Sequence, residues 1–152
     1  VTNITVTVKL DLTGIDDYAG QFPIRMKTIL QKWTIRYRVY TQRRFDQFSK
    51  GGGNWPPLKY RSGTILRDTN TLFTAMAPTL NPPPGSVNIF DATSVEIGFG
   101  GNASHPGGPT IKQIAEWHND GVGNLPIRQI IVIPPQTVID SMAEDARIEL
   151  NK

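Results

Sequence analysis

Glu116, His118 and Asp120 set an imidazole between two carboxylates in one short stretch, the side-chain types on which general acid–base catalysis draws. Spacing decides whether they can cooperate. On a helix, residues two apart point about 200° away from each other, so the three do not converge locally. A metallopeptidase helix needs His-Glu-x-x-His with both histidines on one face, whereas the whole chain holds two histidines and no cysteine. Disulfides, thiolate metal sites and cysteine nucleophiles are thereby excluded. A serine nucleophile on a Gly-x-Ser-x-Gly elbow is also missing from the sequence. The expectation is a chain that is not an enzyme and uses no metal or cofactor. His118 falls in the last helical turn, where a ring N–H can bond a free carbonyl and positive charge suits the dipole, so it is expected to cap or to pack. Trp117 reads as core or interface.

The elements that must position these residues lie in 110–134. Thr110 stands where a cap belongs, Ile111, Ile114, Ala115 and His118 recur at helical spacing, and Gly121 follows where the chain needs a left-handed exit. The apolar run 130–133 then reads as a buried strand before Pro134 and Pro135.

Upstream, Ile4, Val6, Val8, Leu10 and Leu12 alternate with polar residues, the period of a strand with one buried face. A turn at Thr13-Gly14 follows, then Asp16 and Asp17 near a helix entry, with Pro23 tolerated in the first turn. From Phe22, the residues Met26, Ile29, Leu30, Trp33, Tyr37, Tyr40, Thr41, Phe45 and Phe48 step by three and four, which predicts one long helix of about seven turns. Off this stripe stand Arg25, Lys27, Lys32, Arg36, Arg38, Arg43 and Arg44, and no acidic residue occurs between Asp17 and Asp46. That basic face admits three readings: a solvated surface, a docking face for an acidic protein, or a nucleic-acid contact through Arg25, Lys32, Arg36 and Arg43.

Residues 49–64, with Gly51-Gly52-Gly53 and Trp55-Pro56-Pro57-Leu58, predict a flexible exposed loop in which Trp55 either pins the loop to the body or serves as an interface anchor. Asp68 or Thr69 is placed to cap a short helix ending near Met76. The segments 77–80 and 87–90, joined by Pro82-Pro83-Pro84-Gly85, could pair as a hairpin. Val95, Ile97 and Phe99 predict a further strand, 100–109 reads as loose with His105 exposed, and a final helix carries Val138, Ile139, Met142, Ala146 and Leu150. That helix is acidic at Asp140, Glu144, Asp145 and Glu149.

Strands that do not alternate one-for-one with helices imply an α+β fold: a mostly antiparallel sheet packed by a long N-terminal helix, shorter helices and a C-terminal helix, with long exposed loops. At 152 residues, 1–152 is read as one domain. Its longest apolar runs fall far short of a spanning helix, and no signal pattern opens it, so a soluble, non-secreted chain is expected.

Five blocks in order, Gly52-Gly53-Asn54-Trp55-Pro56-Pro57-Leu58, Ile65-Leu66-Arg67-Asp68-Thr69-Asn70-Thr71-Leu72, Val95-Glu96-Ile97-Gly98, Ile114-Ala115-Glu116-Trp117-His118-Asn119-Asp120-Gly121 and Leu125-Pro126-Ile127-Arg128, resemble the phage virion morphogenesis family of Mu-like G proteins, or tail-completion proteins. Asn70 stands where that family has glycine, and it too tolerates a left-handed backbone. The resemblance implies a structural virion protein, assembled in the host cytoplasm, that forms a closed ring, commonly a hexamer, at the neck or upper tail and joins or completes head–tail assembly. Its partners would be further copies of itself, a stopper, tail terminator or tube protein, and the passing DNA without sequence preference, with no membrane. Candidate interface residues are Arg25, Lys32, Arg36, Arg43, Trp55, Leu58, Trp117, Arg128, Asp140 and Glu144; Asp68, His118 and Gly121 are expected to be structural.

Overall fold

The computed structural model describes residues 3–7, 20–59, 63–67 and 69–152. They form β1 (Asn3–Thr7), α1 (Phe22–Ser49), α2 (Thr71–Ala75), β2 (Ser86–Phe90), β3 (Ser94–Phe99), α3 (Ile111–Asp120) and α4 (Gln136–Leu150). The class is α+β, with an antiparallel sheet in the order β1-β3-β2. The continuation of the first strand through Val8, Leu10 and Leu12, the turn at Thr13-Gly14, the acidic pair Asp16 and Asp17, and the cap candidate Asp68 all lie outside the described residues.

β3 is the centre of the sheet because both neighbours pair with it, Ile4 opposite Ile97 on one side and Ile89 opposite Glu96 on the other. Its alternating Val95, Ile97 and Phe99 are fully buried, as period-two patterning requires when one face meets helices. The hairpin expected between 77–80 and 87–90 does not form. β2 turns tightly into β3 instead, with Asp91 N–H donating to the Ser94 carbonyl at 2.9 Å. The proline run at 82–84 has no N–H to offer a ladder, and residues 79 and 80 are tied to β2 by the Asn88 side chain, whose Nδ2 donates to both carbonyls.

α1 forms where the aromatic stripe predicts it and begins with Pro23 in its first turn. Met26, Ile29, Leu30, Trp33, Tyr37 and Phe45 enter a single core cluster with β3, Ile111, Ala115, Ile130 and Met142, each such burial contributing about 1.5–3 kcal/mol. α4 runs antiparallel along α1, since Arg25 reaches the Leu150 carbonyl while Arg36 reaches Asp145. Trp33 Nε1 donates to the Met142 carbonyl at 2.7 Å across the same contact.

Two further expectations fail. Arg38, assigned to the outer basic face, is completely buried. Residues 130–133 form no strand; Ile130 and Ile131 are buried, but Ile133 is 80% exposed. Distant side chains supply the hydrogen bonds that a ladder would have supplied. Ile130 N–H donates to Asn119 Oδ1, Arg44 donates to the carbonyls of Gln129 and Ile130, and Tyr37 Oη donates to the Val132 carbonyl. Burial pushes the Tyr37 phenol up to about 12, so it remains a donor at every physiological pH.

Candidate functional site

The residues singled out for chemistry sit at one corner of the molecule, built from the end of α3, the 51–59 loop, the entry to α2 and the 121–130 segment. α3 starts with a complete capping box, Thr110 Oγ1 accepting from Gln113 N–H and Gln113 Oε1 accepting from Thr110 N–H. It ends on Gly121 at φ +70°, where an added Cβ would lie 2.7 Å from Ile127 Cγ1. That close approach draws the 121–127 loop against the helix end. The His118 carbonyl then accepts the Arg128 N–H at 2.7 Å.

Arg128 closes the corner from the other side. Its guanidinium donates to the carbonyls of Pro56 and Pro57 at 2.9–3.1 Å, and Trp55 Nε1 donates to the Gln129 carbonyl at 3.2 Å. Trp55 is only 6% exposed and stands edge-on to Phe45 and Phe48. The glycine-rich loop is therefore fastened to the body, and Trp55 and Arg128, named as interface candidates, are buried inside the chain. Leu58 is half-buried beside them.

Between these segments lies a cavity of about 340 Å³ lined by Leu58, Leu66, Leu72, Ile114 and Leu125, with His105, His118 and Arg128 on its wall. Leu66 adopts φ +57° here, a left-handed backbone that its Cβ disfavours. The sequence placed the two histidines apart and gave no hint that one cavity holds both. His105 Nδ1 accepts from Gly107 N–H, which leaves Nε2 to donate to Thr69 Oγ1 at 2.8 Å. The His118 ring does not cap: its buried Nδ1 has no partner among the described residues, and Gly121 N–H, bonded to the Trp117 carbonyl, closes the helix instead. Burial, and then the Arg128 charge, pull His118 down to about 4, so it is neutral at pH 7.

Glu116 faces Lys112 at 3.8 Å and Asp120 is exposed. No carboxylate among the described residues lines the cavity beside His118. No cluster of three potential metal-ligating side chains occurs among the described residues. The cavity wall mixes apolar side chains with Lys59, Thr69, Thr71 and Asn124 as well as the two imidazoles.

The charged helix faces behave differently from the sequence reading, because they meet each other. Arg36 Nε and Nη2 donate to both Asp145 oxygens at 2.7 and 2.8 Å, and Lys32 Nζ donates to Glu149 at 3.1 Å. Asp145 holds Arg36 above its usual range; Lys152 and then Lys32 hold Glu149 below the usual carboxylate range. Arg44 donates to backbone carbonyls and lies over Phe48, whereas Arg43 and Trp117 are exposed. Asp140 takes Gln136 Nε2, and Glu144 takes Arg147, both within α4.

Comparison with protein-family models, curated proteins and solved structures finds no match. Two positions that sequence reasoning missed organise the architecture: Asn119, which joins α3 to 130, and Arg38, which joins α1 to β2. A buried amide that accepts a backbone N–H, and a buried guanidinium whose bonds divide between backbone carbonyls and neutral side chains, leave no spacing signature. No helix among the described residues is long and apolar enough to cross a membrane.

Proposed function

We propose that this chain is a non-enzymatic structural component of a tailed-phage virion, a subunit of a closed ring, commonly sixfold, at the neck or upper tail that joins or completes head–tail assembly. The observation that carries this reading is the convergence of the five sequence blocks that resemble the virion morphogenesis family. Arg128 from the last block grips Pro56 and Pro57 from the first. Leu66 and Leu72 from the second share a cavity wall with Ile114 from the fourth and Leu125 from the fifth, and Ile97 from the third lies in the same core cluster as Leu72 and Ala115. Four of the blocks meet at one corner and the third enters the core they share, which supports reading them together.

Further copies of the chain, a stopper, terminator or tube protein, and passing DNA are the proposed neighbours. The test is imaging of the purified chain at high concentration together with mass photometry. Closed rings of identical subunits are expected; a monomer throughout, with no matching ring in virions, overturns the proposal.

A further inference from the structure

Residues 53–59 are held to the body through side chains. Among the described residues no backbone–backbone hydrogen bond ties them down. The fastenings are the Arg128 guanidinium on the Pro56 and Pro57 carbonyls and the Trp55 indole on the Gln129 carbonyl. Both involve one short piece of chain, 128–129, and that piece is joined to the end of α3 by the bond from Arg128 N–H to the His118 carbonyl. His118 thus stands beside the residue that holds the loop.

Its ring is poorly placed to carry a proton. Nδ1 is buried and has no partner among the described residues. The titratable groups that share its cavity wall are Arg128 from the 121–130 segment, Lys59 from the loop and His105 from the segment before α3. Thr69, Thr71 and Leu72, at the entry to α2, bring no charge. On α3 itself Glu116 lies 3.8 Å from Lys112, and Asp120 is exposed; Asp68 is outside the described residues. A protonated ring sets a second cation beside the guanidinium in a partly desolvated wall, where like charges repel. α3 is fixed at both ends, by its capping box and by the bond from Ile130 N–H to Asn119. The loop gives way more easily, because the guanidinium exchanges neutral carbonyls for water at a modest net cost.

We infer that His118 is the trigger of a proton-operated latch: a proton on its ring drives Arg128 off the Pro56 and Pro57 carbonyls and frees the 53–59 loop, Trp55 included, while α1 and the sheet stay packed. The latch is a property of the single subunit and does not depend on ring formation. The imidazole takes up its proton more readily once the loop is open, so the closed loop is fully favoured above pH 6.5 and progressively less so toward pH 4.

The experiment follows hydrogen exchange of the indole N–H groups of the full-length chain by NMR, each referred to free tryptophan at the same pH. Trp55 reports the loop, and Trp33, bonded to the Met142 carbonyl, reports the core. Protection of Trp55 is expected to fall by about tenfold between pH 7.5 and pH 5. At both values it should stay below that of Trp33 and respond little to dilute urea, the mark of local opening. His118→Gln is expected to remove the fall, and His105→Gln to keep it. If Trp55 exchanges with the protection and urea response of Trp33, the loop opens only with the whole fold and the latch is wrong. Unchanged Trp55 protection, or a fall that persists in His118→Gln, overturns it equally. Should His118→Gln fail to fold, the His118 ring is titrated in wild type by NMR; proton uptake outside the pH range in which Trp55 loses protection then overturns the proposal.

Discussion

Arg38 Nε and Nη2 both close on Oδ1 of Asn88, fifty residues away, at 3.0 and 2.7 Å. The guanidinium is fully buried, yet no carboxylate among the described residues accepts from it; its other acceptors there are the Ser86 hydroxyl and the carbonyls of Ala75, Ala77 and Val87. Desolvation lowers its pKa to about 10, so it stays charged at pH 7, stabilised by these neutral dipoles. Replacing Asn88 by Ala removes the acceptor of two of these bonds and is expected to destabilise the fold by about 2–3 kcal/mol. Arg38→Lys is expected to fare no better, because an ammonium cannot span so many acceptors. Urea unfolding measures both.

The neutral His118 gives stability a pH dependence. Its folded pKa of about 4 lies below the ordinary imidazole value of 6.5, so between those values the unfolded chain binds the extra proton. Stability is fully present above pH 6.5 and declines as the pH falls toward 4, by on the order of 2 kcal/mol once solvent screening of the half-buried ring is allowed for. The urea midpoint at pH 7.5 should exceed that at pH 5, and His118→Leu should remove most of the difference.

Gly121→Ala places a Cβ 2.7 Å from Ile127 Cγ1 at φ +70°. Strain and displacement of the 121–127 loop are expected to lower stability by about 1–3 kcal/mol. A fall in melting temperature of several degrees measures it, and an unchanged value contradicts the helix-end geometry.

The loop expected to be flexible is fastened by Trp55, so trypsin should cut slowly after Lys50 and Lys59 in the native protein. Trp55→Ala removes the ring packed on Phe45 and Phe48 and is expected to cost about 3–5 kcal/mol. Cleavage at both lysines should accelerate at least tenfold in conditions where the variant is still mostly folded, as local opening requires.

Asp145→Asn weakens the two-pronged contact with Arg36. Arg36 is 40% exposed in its side chain, so the expected loss is roughly 0.5–1 kcal/mol, shrinking as salt rises. The same change releases an arginine outward. Any weak binding to duplex DNA at low salt should therefore strengthen in Asp145→Asn relative to wild type.

The sequence made α1 and β3 legible because their periods are long or clean: nine large residues at helical steps, and three apolar residues alternating through a buried strand. The paired charges of α1 and α4 were visible as well, but a sequence does not say whether complementary faces meet within one chain or between two. Here Arg36 and Asp145 meet within it. The 130–133 run misled for a related reason. Four apolar residues read equally as strand or as buried coil, and the acceptors and donors that favour coil, on Asn119, Arg44 and Tyr37, lie up to 95 residues distant. The corner holding both histidines was likewise hidden, since only folding brings 105 beside 118.

A helix of 28 residues is about 42 Å long, comparable to the full width expected of a 152-residue globule. α1 is joined near its start to the last turn of α4 through Arg25, and near its end to Arg67 through Asp46. It is a single strut running from one side of the molecule to the other, with a fastening at each extremity. A tug on the C-terminal helix is passed along that rod to the glycine-rich loop without crossing a hinge, so the subunit resists stretching along this axis as one stiff body.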